Sequence, residues 1–259
     1  MQIRRYSTVL KNGSTREGLI LQHDKNLSEV APLPNWSQET LADAFKQLKE
    51  GKCDSPSVRF GLASLNTPMP THLDLPINAF EQYRPGFSVL KLKVGHLGLQ
   101  DAIKLVQRHQ QVPLRLDFNR KWPLNKLLRF ASHFNASDFD YFEEPTEKLQ
   151  DLIIFSNQTR FPIALDESAA RFAHEPIATL KTIVVKPTLT GTIPTPPPGV
   201  ELIFTFAYES TVGLLRIAQL AAQYNPTRPH GLDFESYLSS HTLFPPPIIE
   251  NGRFIWNAP

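Results

Sequence analysis

The stretch "FSVLKLKVG", residues 87–95, decides how this chain folds. Its apolar residues alternate as in a strand, where successive side chains point to opposite faces. Leu90, Leu92 and Val94 share one face, the side suited to packing against helices, while Lys91 and Lys93 share the other with Val89. Two ammonium groups on one face of a buried-looking strand need a reason. An exposed sheet face is the plain one, since lysine is seldom buried. The segments that follow argue instead that this face looks into a site.

Five later stretches repeat the form of a short apolar strand closed by a polar residue: "PLRLDFN", "DYFEEP", "PIALDES", "TIVVKPT" and "ELIFTFAYES". Measured between Lys93, Asp117, Glu143, Asp166 and Lys186, the intervals are 24, 26, 23 and 20 residues. A strand of about 5 residues, a helix of about 11 and two short loops fill that length. Helical stripes lie between the strands: Ala102, Leu105 and Val106 in one segment, Leu124, Leu127, Leu128 and Ala131 in the next. The pattern predicts an α/β fold, a modified TIM (β/α) barrel, with a doubly wound open sheet as the alternative. The barrel is favoured because polar residues recur at the carboxyl ends of five successive strands. An open sheet gathers its ligands at a single switch point.

Residues 1–60 have a different texture. "IRRYSTVL", "EGLILQ" and "SEVAPL" read as strands with a turn at Asn12-Gly13. "SQETLADAFKQLKEG" reads as a helix with Ser37 as N-cap, Thr40 at the capping-box position, an apolar stripe of Leu41, Ala44, Phe45 and Leu48, and Gly51 as its stop. "PSVRFGLASL" begins a second helix, and "DLPINAF" a first barrel strand. We therefore expect an α+β domain over 1–60 and a barrel over 61–259, with the C-terminal segment able to return to the first domain. After "KPTLTG" the run "TIPTPPPGVE" carries four prolines where a barrel helix belongs, so the barrel is expected to lack one outer helix.

Bulk properties narrow the function. The chain has 259 residues, 41% hydrophobic and 20% charged, enough for a sizeable core. A net charge of +2, with both signs interspersed, gives no reason to expect nucleic acid as a partner. No run approaches the roughly 18 apolar residues of a membrane span, and "MQIRRYSTVLKNG" lacks the apolar centre of a signal peptide. The single Cys53 excludes an internal disulfide framework. These features predict a soluble cytoplasmic protein acting on a small molecule. The eight histidines show no ligand spacing.

In a barrel the strand ends converge on one mouth. Asp117, Glu143 and Asp166 would meet there from successive strands, and three carboxylates in one cavity repel unless a cation joins them. All-oxygen ligation points to Mg²⁺, with Mn²⁺ as an alternative, not zinc. Lysines flank the acids, Lys91 and Lys93 on one side and Lys186 on the other. A metal among carboxylates can hold a substrate carboxylate and stabilise the ene-diolate formed when its α-proton leaves. A lysine whose pKa is lowered by burial, a neighbouring ammonium or the metal can take that proton.

At these residues the sequence resembles the enolase superfamily and, more narrowly, its o-succinylbenzoate synthase family. "KxK", "DxN", "EEP" and "DES" carry the broader likeness; "APLPNWSQET", "LRLDFNRKW" and "VVKPTLTG" carry the narrower one, with "PSVRFG", "ESTVGL" and "GLDFES" beside them. The resemblance implies an α+β capping domain over a modified TIM barrel. It implies Asp117, Glu143 and Asp166 as Mg²⁺ ligands and Lys93 as the base. Lys91 would tune Lys93, and Lys186 would stabilise charge from the opposite side. Asn119, two residues past Asp117 on the same face, would set metal and lysine geometry. Substrate contacts fall to Asn119, Pro34, Trp36, Glu209 and Gly231, with "APLPNWSQET" closing over the substrate. The implied reaction is the syn elimination of water from 2-succinyl-6-hydroxy-2,4-cyclohexadiene-1-carboxylate to o-succinylbenzoate, a step of menaquinone biosynthesis. Where family members have a serine-rich turn before the Glu-Ser pair, this chain has Thr205, Phe206, Ala207 and Tyr208. Two other functions use the same residues: an N-acylamino acid racemase or dipeptide epimerase with Lys93 and Lys186 as paired bases, and a catalytically retired barrel kept as a binding protein.

Overall fold

The computed structural model describes residues 1–238 and 246–258. Contacts divide the chain into two units: Ile77–Val184 with Thr195–Ile203, and the remainder, which combines Met1–Pro76, Val185–Pro194 and the segment from Phe204 onward.

The second of these begins with an antiparallel sheet of β1 (Gln2–Val9), β2 (Thr15–His23) and β3 (Asn26–Val30), paired in that order. Helices α1 (Leu41–Glu50) and α2 (Pro56–Leu65) follow. Leu19 and Leu21 of the sheet, Ala44 and Leu48 of α1, and Val58 and Leu65 of α2 form one buried cluster with Val30. The N-cap of α1 is Thr40, not Ser37. Thr40 Oγ1 accepts the Asp43 N–H at 3.2 Å while the Asp43 carboxylate accepts the Thr40 N–H at 3.0 Å, a reciprocal box that Ser37 has no acid in register to complete. Ser37 instead closes the loop before the helix, its Oγ accepting the Leu33 N–H at 2.9 Å. Glu39, between them, accepts the Ser57 N–H and hydroxyl at 3.0 and 2.6 Å and so supplies the acid at the start of α2.

The predicted strand in "DLPINAF" is two strands. β4 (His72–Pro76) pairs antiparallel with the C-terminal strand β13 (Arg253–Asn257), which pairs with β12 (Ile248–Glu250). β5 (Ala79–Phe80) starts the parallel sheet. The break falls at Ile77-Asn78, where the Asn78 amide is bonded to the Ala79 carbonyl and to Arg115.

The parallel sheet has seven strands in the order β11 (Glu201–Phe204), β10 (Leu180–Val185), β9 (Ile163–Leu165), β8 (Phe139–Glu143), β7 (Leu114–Asp117), β6 (Leu90–Lys93) and β5. With α3 (Leu99–Gln107), α4 (Leu124–Ala131) and α5 (Leu149–Gln158) between strands, this is the modified (β/α) barrel that the spacing predicts. The outer face is closed by aromatic rings: Phe142 lies 5.1 Å from Phe118, 4.9 Å from Phe139 and 4.9 Å from Phe161. Trp122 packs edge-on to Phe118 and Phe130 at the start of α4. Tyr141, Ala164, Val184 and Ile203 form a separate inner cluster. Helix α6 (Ala169–Phe172) and α7 (Pro187–Thr190) are single turns, and no helix lies between Gly191 and Glu201, the stretch whose prolines lack the N–H a helix needs. Helix α8 (Thr211–Tyr224) is the longest.

Candidate active site

Strand register builds the site. Lys93 stands opposite Asp117 and Asp117 opposite Glu143, one row at the carboxyl ends of β6, β7 and β8. Lys91, Arg115 and Tyr141 form the row beneath. Leu90, Leu92 and Val94 face the other way and are fully buried, so the lysine face is the inner one.

Lys91 extends upward into the carboxylate row. Its Nζ lies 3.2 Å from Asp117 Oδ2 and 2.7 Å from both oxygens of Glu143. Burial alone would lower the pKa of this ammonium, but the Asp117 and Glu143 carboxylates outweigh it and hold Lys91 well above the usual lysine range. Its charge is committed to the acids. Beneath it Arg115 is fully buried, its guanidinium 4.7 Å over the Tyr141 ring and bonded to Asp140 at 2.8 Å and Asn78 at 2.9 Å. Lys181 also reaches Asp140, at 2.8 Å.

Lys93 is oriented from β5. Its N–H donates to Glu81 Oε1 at 3.0 Å, the Glu81 N–H donates to the Lys91 carbonyl at 2.8 Å, and Lys93 Nζ lies 5.8 Å from the centre of the Phe80 ring. The loops after β6, β7 and β8 are laced together. Val94 and Gly95 donate to the Asp117 carbonyl, Phe118 donates to Glu143 and Arg120 to Glu144. Residue 95 has to be glycine, since a Cβ there would lie 2.0 Å from the Phe118 carbonyl oxygen. β7 ends at Asp117, so strand alternation does not reach Asn119. The chain turns left-handed at Asn119 (φ 47°) and Arg120 (φ 60°), and the Asn119 N–H donates to Asp117 Oδ1 at 3.1 Å.

Asp166 follows β9 and is half-buried. Its loop is held by Glu144, which the reading of "EEP" passed over in favour of Glu143. Glu144 Oε1 accepts the Asp166 N–H at 2.7 Å, the Ser168 N–H at 3.0 Å and the Ser168 hydroxyl at 2.6 Å. Glu144 lies one residue past β8 at φ 46°, so strand alternation does not give its direction and the sequence alone did not reveal it. Among the described residues no three His, Cys, Asp or Glu side chains are gathered as a finished metal cluster. Asp117 and Glu143 converge on one ammonium, and Asp166 stands at the end of the next strand.

The other expected residues belong to the unit that contains the N-terminus. Lys186 is half-buried directly after β10, where it caps α7 and its carbonyl accepts the Leu189 and Thr190 N–H groups. Pro34 and Trp36 are exposed, Trp36 to 54%. Glu209 is buried, and its carboxylate accepts the Ala207 N–H. Burial pushes the Glu209 carboxyl up, with Arg16 pulling it the other way. Beside it Glu29 receives the Ser210 and Gly213 N–H groups at 3.0 and 2.9 Å, an anion at the N-terminus of α8, and is bonded to Tyr6 and the Ser210 hydroxyl. The Gly231 backbone is bonded on both sides, its N–H to the Phe204 carbonyl and its carbonyl to the Thr205 hydroxyl. His230, fully buried, accepts the Phe204 N–H, a structural role.

A parallel barrel with a Lys-x-Lys strand beside a row of acids is the architecture of the enolase superfamily, and residues 77–178 match the family described as enolase C-terminal domain-like. The chain is 33% identical to an o-succinylbenzoate synthase of Pectobacterium atrosepticum, over 87% of this chain and 85% of that protein. It is 32% identical to one of Vibrio cholerae, over 94% and 91%. The chain belongs to the o-succinylbenzoate synthase family, whose members are carbon–oxygen lyases. Its fold is like that of the o-succinylbenzoate synthase of Thermosynechococcus elongatus, solved with Mg in the active site (TM-score 0.74, 22% identity, 93% of this chain and 95% of that one). It is also like that of the L-Ala-D/L-Glu epimerase of Bacillus subtilis (TM-score 0.78, 16% identity, 100% of this chain and 95% of that one). No helix among the described residues is long and apolar enough to cross a membrane.

Proposed function

We propose that this chain dehydrates 2-succinyl-6-hydroxy-2,4-cyclohexadiene-1-carboxylate to o-succinylbenzoate. The observation that carries the reading is the row Lys93–Asp117–Glu143, set side by side by strand register with Lys91 bridging the two acids. The donor set suits a hard divalent cation, because it is all carboxylate oxygen, lies in a buried row and is accompanied by a third acid, Asp166, on the adjoining strand. Asp117, Glu143 and Asp166 would hold Mg²⁺, with Mn²⁺ able to replace it. Bound there, the ion supplies positive charge to the substrate carboxylate as its α-carbon gives up a proton.

The chain's own residues do the rest. Lys93 takes the α-proton, and the bond's electron pair moves toward the substrate carboxylate. The pair then returns to form the ring double bond as the neighbouring C–O bond breaks. Lys93 gives its proton to the departing hydroxyl, and water leaves. Lys91 keeps the acids in register. Lys186, from its place in "VVKPT", is assigned the second positive charge on the reacting carboxylate. Asn119, Pro34, Trp36, Glu209 and Gly231 remain proposed substrate contacts. The single cysteine, Cys53, is free and suits a reducing compartment, and we assign the activity to the cytoplasm.

The test is turnover by the purified chain with Mg²⁺ of the cyclohexadiene substrate beside a panel of N-acylamino acids and dipeptides. Formation of o-succinylbenzoate, at a kcat/KM well above that for racemisation of any panel member, is the expected result. Racemisation or epimerisation without dehydration would replace the reading with the paired-base alternative.

A further inference from the structure

We propose that Glu144 is a positioning residue for the metal site, acting by holding Asp166 in place; this rests on the reading of Asp166 as a ligand. Glu144 is buried at 1% exposure and sits at φ 46°, a left-handed conformation that a glutamate adopts only where its surroundings compel it. The turn sends its side chain out of the β8 row to the loop that follows β9. There one oxygen, Oε1, gathers three donors from two residues: the Asp166 N–H, the Ser168 N–H and the Ser168 hydroxyl. Arg120, from the loop after β7, lies 3.9 Å from the other oxygen. The Glu144 backbone is pinned as well, its N–H donating to Ala164 and its carbonyl accepting from Arg120. One side chain thus ties the loops that follow β7, β8 and β9; Asp117 ends β7, Glu143 ends β8 and Asp166 directly follows β9.

Asp117 and Glu143 are the last residues of β7 and β8 and share the Lys91 ammonium. Asp166 lies just past a strand of three residues, followed by a single helical turn. Partners of this kind typically change metal affinity by about 10- to 100-fold when removed.

The role depends on reach, not on charge, and that makes it testable. Glu144→Gln keeps an acceptor oxygen at the same distance. Glu144→Asp keeps the charge but withdraws it by one methylene, and Glu144→Ala removes both. Mg²⁺ affinity of the full chain would be measured by titration calorimetry for these variants and for Asp166→Asn. The expected result is that Glu144→Gln stays within about threefold of wild type, while Glu144→Asp and Glu144→Ala fall by about tenfold or more. If Glu144→Ala does not fold, the Gln and Asp variants decide. Wild-type affinity in Glu144→Asp, or a Glu144→Gln as weak as Glu144→Asp, would overturn the proposal by showing that charge or nothing matters there. Wild-type affinity in Asp166→Asn would instead overturn the ligand reading on which it stands.

Discussion

Lys91 and Lys93, two residues apart on one face, have come to different work. Strand alternation placed both on one face, the segments that follow turned that face inward, and that much of the site was legible from sequence. Alternation gives a face but not a reach. It could not show that Lys91 spends its charge on Asp117 and Glu143, or that Arg115 and Asp140, both buried, form a second ionic group below. Glu209 was legible only through the family motif, and its burial was not. That burial has a consequence for stability. A carboxyl whose pKa is higher folded than unfolded binds its proton more tightly in the native state. Its contribution therefore falls as pH rises from about 4.3, the unfolded value, through the raised folded value. Glu209→Gln keeps an oxygen for the Ala207 N–H and removes the titration. As pH rises above about 4.3, the Tm of wild type should fall relative to that of Glu209→Gln. A difference independent of pH would show that Glu209 is not destabilised in its charged form.

At the scale of elements, the βα rhythm was readable because strand, helix and loop lengths are fixed by geometry, and the marker residues kept that spacing. Proline content exposed the missing helix before β11. The shrinking of α6 to one turn was not legible, because nothing in "SAARFAHE" forbids a helix before Pro176 ends it. The start of α1 was misplaced because Ser37 and Thr40 are both good caps, and the choice depends on Asp43 completing the box with Thr40. Gly95 shows how tightly the site's loops are laid against each other. Gly95→Ala would drive a methyl into the Phe118 carbonyl, from the loop that follows Asp117. Overpacking of this kind costs about 1–3 kcal/mol. Urea unfolding should show a loss of that size with m unchanged, together with weaker catalysis as the Lys93 and Asp117 loops part. Stability equal to wild type would mean that the two loops separate freely.

For the whole molecule, local pattern identified the barrel but not every pairing. Leu75 of β4 faces Phe254 of β13, and nothing near "HLDLP" names a partner so far along the chain. The function of the assembled site is expected to depend on a divalent cation. Chelation should abolish dehydration, Mg²⁺ or Mn²⁺ should restore it, and full activity in excess chelator would contradict the role given to the acids. The claim on which the rest depends is that the Lys93 face performs proton abstraction. The most direct measurement is exchange of the α-proton of a non-eliminating substrate analogue with solvent deuterium, in the presence of Mg²⁺, for wild type and Lys93→Ala. Exchange by wild type and none by a folded Lys93→Ala is the expected result; persistent exchange in Lys93→Ala, at the face on which elimination occurs, would contradict it.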